Sequence, residues 1–478
     1  MAASPDIQTI NPATGEPLEE FSFQSDAEVE GVLAATAPAF HHWRDIGPEG
    51  RALRLAELAK VLRANRNALA ATVTREMGKL IGEAEAEVEK CARTAEWYAA
   101  HGLDMLADEP SSVREAESYI SFLPLGALLA VMPWNFPLWQ AMRFAVPAIL
   151  AGNVMLLKHA PNVQRSALEL ERMFLEAGFP PGVFQNLIVP TANVERIIGD
   201  RRIRGVSLTG SVQAGGAVAA AAGKMLKKSV LELGGSDAFI VLEDADIEAA
   251  VQAGVKARFA NAGQVCIAAK RFLITATVAE EFQEKFIAAV RQLRWGNPLD
   301  RKVHLGPLAR TDLREALHTQ VKRTLAAGAT LHAGGTLVEG KGFFYQPTVL
   351  GNVRDGMAAW DEETFGPVAA LRYVESAEEA VDCANQSAYG LSSSVWTRDL
   401  DRARSLGRCI EAGSVFINSI SASDPRVPIG GVKNSGYGRE LSQFGLREFV
   451  NVQTIWMHRS DSQKPNSEPM VAPRDGRE

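Results

Sequence analysis

From Ala127 to Ile417, short apolar runs alternate with stretches of helical period, and this alternation constrains the fold more than any other property of the chain. Ala127–Met132, Val154–Leu157, Asn186–Val189, Gly205–Leu208 and Ala238–Leu242 are too short for buried helices and read as strands. Strands separated by helices make βαβ units and a mostly parallel sheet. A second series, Phe272–Thr275, Ser393–Trp396 and Ser414–Ile417, lies beyond a cysteine at position 266. Two α/β domains are therefore expected. Upstream, Ser25-Asp26-Ala27-Glu28 is a capping-box signature that opens a helix toward Trp43. Residues 48–101 are helical by composition and period, and residues 115–122 change to strand-like alternation. The tail from His458 to Glu478, rich in Ser, Pro, Asp, Arg and Lys, is expected to be mobile.

Several function classes drop out. A net charge of -7 over 478 residues lacks the basic excess of a nucleic-acid binder. The long apolar stretch Leu123–Leu157 is interrupted by Pro124, Pro133, Pro137, Arg143, Pro147 and Asn153, which fits buried strands and a core helix and not a membrane span. The opening Met1–Asp6 has neither the basic region nor the apolar run of a secretory signal. Four scattered cysteines (Cys91, Cys266, Cys383, Cys409) make no disulfide framework and, without clustered histidines, no structural metal site. A cytoplasmic protein with reduced thiols is expected.

Four segments carry residues suited to chemistry. Asn261-Ala262-Gly263-Gln264-Val265-Cys266 presents a thiol after a polar, glycine-containing bend; a thiolate there attacks carbonyl carbon, although a lone cysteine also serves as a small buried hydrophobe. Pro133-Trp134-Asn135-Phe136-Pro137 joins a strand to the helical run Leu138–Ala148, so the Asn135 amide either donates to a developing oxyanion or caps the helix. Ile203–Ser211 ends a strand ahead of the small-residue helix Val212–Gly223, whose first N–H groups favour phosphate; the Gly-x-Gly-x-x-Gly fingerprint is absent, and close helix–sheet packing selects the same small residues. Glu232, before Gly234-Gly235, is either a solvated carboxylate or, in an apolar cleft, a general base for water.

Taken in order, these segments resemble the aldehyde dehydrogenase superfamily. Pro133–Pro137, Leu208–Ser211, Glu232–Gly235, Gly263–Cys266, Glu363-Thr364-Phe365-Gly366-Pro367 and Pro428–Gly436 appear in family order, and Asn11–Glu16 looks like the family's N-terminus. The resemblance spans roughly residues 8–457. It implies a Rossmann-like cofactor domain (residues 1–110 and 128–235), a catalytic α/β domain (236–445), and a small β oligomerisation element (111–127 and 446–458) that makes a homodimer or homotetramer. Residues 459–478 fall outside as the tail. By the same resemblance Cys266 is the nucleophile, giving a thiohemiacetal and, after hydride transfer to nicotinamide, a thioester. Asn135 and the Cys266 backbone N–H hold the oxyanion, and Glu232 activates the hydrolytic water, a division of one oxidation into two steps. The implied NAD or NADP site comprises Met132, Trp134, Lys158, Pro161, Gly210, Ser211, Leu233, Glu363 and Phe365, and no metal is needed.

Two departures refine this. Many relatives carry a ribose-gripping glutamate where this chain has Pro161, so repulsion of a 2′-phosphate is removed and both NAD and NADP are admissible. Lys158-His159-Ala160, Cys266–Arg271 and Ser423-Asp424-Pro425-Arg426 resemble the bacterial succinate-semialdehyde dehydrogenase branch, which implies a substrate carboxylate held by Arg143 and Ser423. Arg143 lies in a strongly apolar helix and needs an anion there, either the substrate's carboxylate or an internal Glu or Asp. Trp139, one turn earlier on the same face, shapes the same tunnel. Other expectations stay open: the same chemistry on glutarate semialdehyde or an aliphatic aldehyde, a coenzyme A–acylating variant against which Glu232 speaks, and a non-catalytic homologue with a binding role.

Overall fold

The computed structural model describes residues 6–113 and 116–458, and the tail expected to be mobile lies, apart from His458, outside them. Among the described residues, two large sheets carry the architecture. The first has six strands in the order Gly436–Tyr437, Lys228–Glu232, Ile203–Thr209, Ala127–Met132, Val154–His159, Phe184–Asn186. The five strands from Lys228–Glu232 to Phe184–Asn186 pair in parallel, and Gly436–Tyr437 joins antiparallel at the edge, opposite Leu231 and Glu232. The second has seven strands in the order Thr330–Ala333, Thr348–Gly351, Val368–Val374, Ala269–Thr275, Asp237–Val241, Ser392–Trp396, Ser414–Ile417. The chain passes from the first sheet to the second through Leu233–Ser236.

Parallel sheets are covered on both faces, so their strands bury every residue. Asp237–Val241 shows the consequence: Phe239 and Val241 join Phe272, Phe286 and Trp396 on one face, while Ala238 and Ile240 join Leu273 and Val395 on the other. The expected strand Asn186–Val189 is displaced. Its strand is Phe184–Asn186; Leu187 N–H still donates to Leu157 O, and the run then leaves the sheet ahead of Pro190, which has no N–H to give.

The helical region breaks where capping demands it, into Gly47–Ala64, Arg66–Met77 and Ile81–Met105, with Gly78 at φ 80° ending the second. Ser25 and Glu28 form the capping box of Asp26–Asp45. Every residue of the Trp139–Leu150 helix is buried, including Arg143 and Gln140. Glu87, on Ile81–Met105, caps this helix: Leu138 and Trp139 N–H donate to its Oε1 at 2.8 and 2.9 Å, and its other oxygen pairs with Lys79. A carboxylate at a helix N-terminus is stabilised by the helix dipole. The cap fixes the strand–loop–helix segment that bears Asn135 against the helix that bears Lys90.

A third sheet pairs Val450–Met457 antiparallel with Glu117–Pro124, in register from Val450 opposite Pro124 to Met457 opposite Glu117. Glu109–Pro110 takes its far edge. Val450–Met457 is thus an edge strand, with Val452 and Trp456 60% and 56% exposed.

Candidate active site

The loop that bears Cys266 begins where the Ile247–Phe259 helix ends. Asn261 (φ 51°), Ala262 (φ 53°) and Gly263 (φ 75°) are consecutive left-handed residues, a conformation that persists only where its surroundings enforce it. A Cβ on Gly263 would stand 2.3 Å from Gly366 O, so only glycine fits. Arg258 donates to Gly263 O at 2.7 Å and Gly366 O at 2.6 Å. Asn261 N–H donates to Glu83 at 2.9 Å, and Ala309 N–H to the Gln264 side chain at 2.9 Å. Beyond the turn, the buried Lys270 ammonium donates to Val265 O at 3.0 Å and Cys266 O at 2.7 Å. Cys266 is thereby fixed at the end of a strained, over-determined turn. Burial pushes its thiol up to about 11, against the pull of Arg143 and Lys270, so it is protonated at neutral pH and needs a base.

Asn135 is buried between the Ala127–Met132 strand and the Trp139–Leu150 helix. Its Nδ2 donates to Gln264 O at 3.1 Å, and its own carbonyl accepts from Asn261 Nδ2 at 2.9 Å. One amide hydrogen is thus spent on the cysteine loop and the second remains for an oxyanion. His159 braces this loop from below. Its Nε2–H donates to Pro137 O at 2.7 Å while its Nδ1 accepts from Ala160 N–H at 2.9 Å, and burial pushes it down to about 4, so it stays neutral.

Glu232 ends the Lys228–Glu232 strand, with Oε2 3.4 Å from an Arg143 nitrogen and Oε1 without a hydrogen-bond partner among the described residues. Burial pushes its carboxyl up to about 7, Arg143 opposing and Glu440 reinforcing the shift. Arg143 itself is fully enclosed. Its Nε is bound to Glu440, whose other oxygen accepts from Ser207 Oγ at 3.1 Å. Of the two anions that the apolar helix left open for Arg143, the internal one is present: Glu440 and Glu232 pair with the guanidinium from inside the protein, where a substrate carboxylate was the other expectation. Leaving a buried charge unpaired costs about 3–5 kcal/mol, so Arg143→Ala is expected to lower the unfolding free energy by about that much in urea titrations. A loss within about 0.5 kcal/mol would mean that the pair does not hold the fold.

Two cavities meet at Cys266. One, of about 240 Å³, is walled by Trp134, Asn135, Gly210, Ser211, Leu233, Glu363, Phe365 and Cys266. Ser211 Oγ caps the Val212–Lys224 helix by accepting from Ala214 N–H at 3.2 Å, so that helix starts at the cavity. A Cβ on Gly215 would meet Leu233 at 2.6 Å, which is why small residues line this helix. Phe365 stands edge-on to Trp134 at 5.7 Å. Glu363 is held by Lys270 at 3.2 Å and by Gly235 N–H at 3.0 Å. Met132, Lys158, Pro161 and Glu232 do not line this cavity. Lys158 is buried with no hydrogen bond or ion pair among the described residues, and Pro161 opens a helical turn at the surface. A buried ammonium without a protein partner is suited to a hydroxyl or phosphate of a dinucleotide.

The other cavity, of about 210 Å³, is walled by Lys90, Phe136, Trp139, Arg143, Ser423 and Cys266 among others. Trp139, Arg143 and Ser423 thus come together as expected. Lys90 escaped the sequence, because a lysine in an amphipathic helix reads as a solvated face. Arg258, Lys270 and Glu440 escaped for a similar reason: charged residues betray burial only through partners distant in the chain.

Strained cysteine turn, tethered asparagine and buried glutamate, at the junction of two α/β sheets, define a class of enzyme, and comparison gives that class its name. The aldehyde dehydrogenase family matches residues 1–455, and the chain belongs to that family. It is 51% identical over 451 residues to a succinate semialdehyde dehydrogenase [NAD(P)+] of Escherichia coli K12, covering 94% of this chain and 98% of the relative. It is 46% identical over 460 residues to a succinate-semialdehyde dehydrogenase [NADP(+)] of Mycobacterium avium, covering 95% and 98%. Among solved structures, the succinic semialdehyde dehydrogenase from Streptococcus pyogenes in complex with NADP+ superposes with a TM-score of 0.93 at 38% identity, covering 95% of this chain and all of that one.

Proposed function

We propose that this protein oxidises succinate semialdehyde to succinate with NAD or NADP as hydride acceptor. The observation that carries the reading is the junction itself: Cys266 belongs to both cavities, one suited to a dinucleotide and the other ending in Ser423 and cationic side chains. Relatives at 46–51% identity that bear this activity in their names support it.

Cys266 passes its proton to water in the cavity as its sulfur bonds to the aldehyde carbon. The carbonyl oxygen becomes an oxyanion, stabilised by the free Asn135 amide hydrogen and the Cys266 backbone N–H. When bound, the nicotinamide supplies the hydride acceptor. The thioester left on Cys266 is attacked by a water whose proton Glu232 takes; the C–S bond breaks, and the carboxylate leaves. To reach that water Glu232 turns away from Arg143 toward the cavities. Ser211, Trp134 and the start of Val212–Lys224 would hold the pyrophosphate, Lys158 the adenosine ribose, and Glu363 with Phe365 the nicotinamide side. Pro161 offers no carboxylate against a 2′-phosphate, which leaves both cofactors open. The exposed edge strand Val450–Met457 supports a homodimer or homotetramer in which it adds to a neighbour's sheet. Among the described residues no helix is long and apolar enough to cross a membrane, and we place the enzyme in the cytoplasm.

The test is the ratio of kcat/KM for succinate semialdehyde to that for butanal, an uncharged analogue. A buried carboxylate–cation contact gives a preference of about thirty-fold or more. A ratio near one overturns the semialdehyde assignment and leaves an aldehyde dehydrogenase of other specificity.

A further inference from the structure

Three cationic side chains line the cavity on the far side of Cys266: Lys90, Arg143 and Lys256. Lys256 is exposed. Arg143 is neutralised by Glu440 and Glu232. Lys90 has no such partner: among the described residues no carboxylate forms an ion pair with it. Its nearest acidic neighbours are committed elsewhere. Glu87, one turn earlier on the same helix, pairs with Lys79 and caps the Trp139–Leu150 helix. Asp424 binds Arg426 at 2.7 Å.

We infer that Lys90, and not Arg143, supplies the charge that holds the substrate's carboxylate, with Ser423 and Trp139 positioning its ammonium. The inference rests on the carboxylated-aldehyde reading above and names the group responsible for it. Lys90 Nζ donates to Ser423 Oγ at 2.6 Å and stands 4.2 Å from the centre of the Trp139 ring. A lysine ammonium has three donors, so two remain after the serine contact. Ser423 accepts from Lys90, which frees its own O–H to donate to the same carboxylate. The indole face holds the ammonium by a cation–π contact without neutralising it. Burial, with Arg143 adding repulsion, lowers Lys90 to about 8. A buried cation without an anion is unfavourable, and an anion entering the cavity relieves it. Cys266 and Lys90 line the same cavity, so an aldehyde bound there with a terminal carboxylate has both the thiol and the ammonium in its walls. Lys90 is on this account a specificity residue, and Arg143 a positioning residue for Glu232 and Glu440.

The test compares the parent with Lys90→Met and Lys90→Arg. The ratio of kcat/KM for succinate semialdehyde to that for butanal is expected to fall about thirty-fold or more in Lys90→Met, chiefly through KM. Lys90→Arg should recover part of it, and the inhibition constant of succinate against butanal oxidation should rise in parallel in Lys90→Met. A parent without preference for the semialdehyde sinks the carboxylated-aldehyde reading, and this inference with it. A parent that prefers it, beside a Lys90→Met variant that keeps the preference, overturns Lys90 alone. Should Lys90→Met fail to fold, reductive methylation of the parent, read by peptide mass spectrometry, decides: succinate protects Lys90 if it is the anchor, and equal labelling with and without succinate rejects it.

Discussion

Cys266→Ala is expected to lower aldehyde oxidation by about 10⁴-fold or more, followed by absorbance of the reduced cofactor. The size of the effect follows from covalent chemistry: without sulfur there is neither thiohemiacetal nor thioester, and both half-reactions lose their intermediate. Cys266→Ser should fare little better, since a hydroxyl of much higher pKa occupies a site that already pushes a thiol up to about 11. Alanine is smaller than cysteine and the backbone turn is held by Arg258 and Lys270 through main-chain carbonyls, so the fold does not depend on the sulfur. Residual turnover within ten-fold of the parent would assign the chemistry to another group.

The second large effect belongs to Glu232. Glu232→Gln keeps the size of the side chain and removes the base, and kcat is expected to fall by about 10²–10⁴-fold. If the carboxylate acts on the thioester, the variant should release one equivalent of reduced cofactor in a burst and then stall; loss of the burst would instead assign Glu232 to the thiol's proton. The pH dependence has a definite sign. Burial raises the Glu232 carboxyl to about 7, and only the ionised form takes a proton, so kcat of the parent should rise as pH passes through about 7. The variant should lose that limb. Stability runs the other way: a carboxyl raised by folding contributes stability at low pH that is lost as pH rises through its folded value. Glu232→Gln should flatten the unfolding free energy over that interval.

How much of this was legible in the chain depends on how local the cause is. The capping box at Ser25 and Glu28 forms as read, because its hydrogen bonds span three residues. Ala127–Met132 and Ser414–Ile417 are strands with the expected bounds, since apolar runs between turn signals leave little choice. Asn186–Val189 was misplaced, because pairing with Met155–Leu157 and the proline after Val189 decide where the strand ends. Cys266, Asn135 and Glu232 were legible through short motifs whose order matches a family. Arg143 shows the limit. Its need for an anion was readable from its apolar neighbours, but Glu440 lies 297 positions away, and no local pattern says which anion wins.

The sequence alone therefore determined the alternation that makes two α/β sheets, the cysteine that follows a bend of Asn, Ala and Gly, and the absence of a carboxylate at Pro161. Each is set by residue identity and near neighbours. The tertiary structure decided which charges are spent and which are left. Burial removes water as a partner for every ionic group at once, so the pairing of Arg143 with Glu440 and of Lys79 with Glu87 settles what remains. At the cavity beyond Cys266, Lys90 is left without an ion pair among the described residues, beside Ser423 and Trp139, because three segments far apart in the chain close around it.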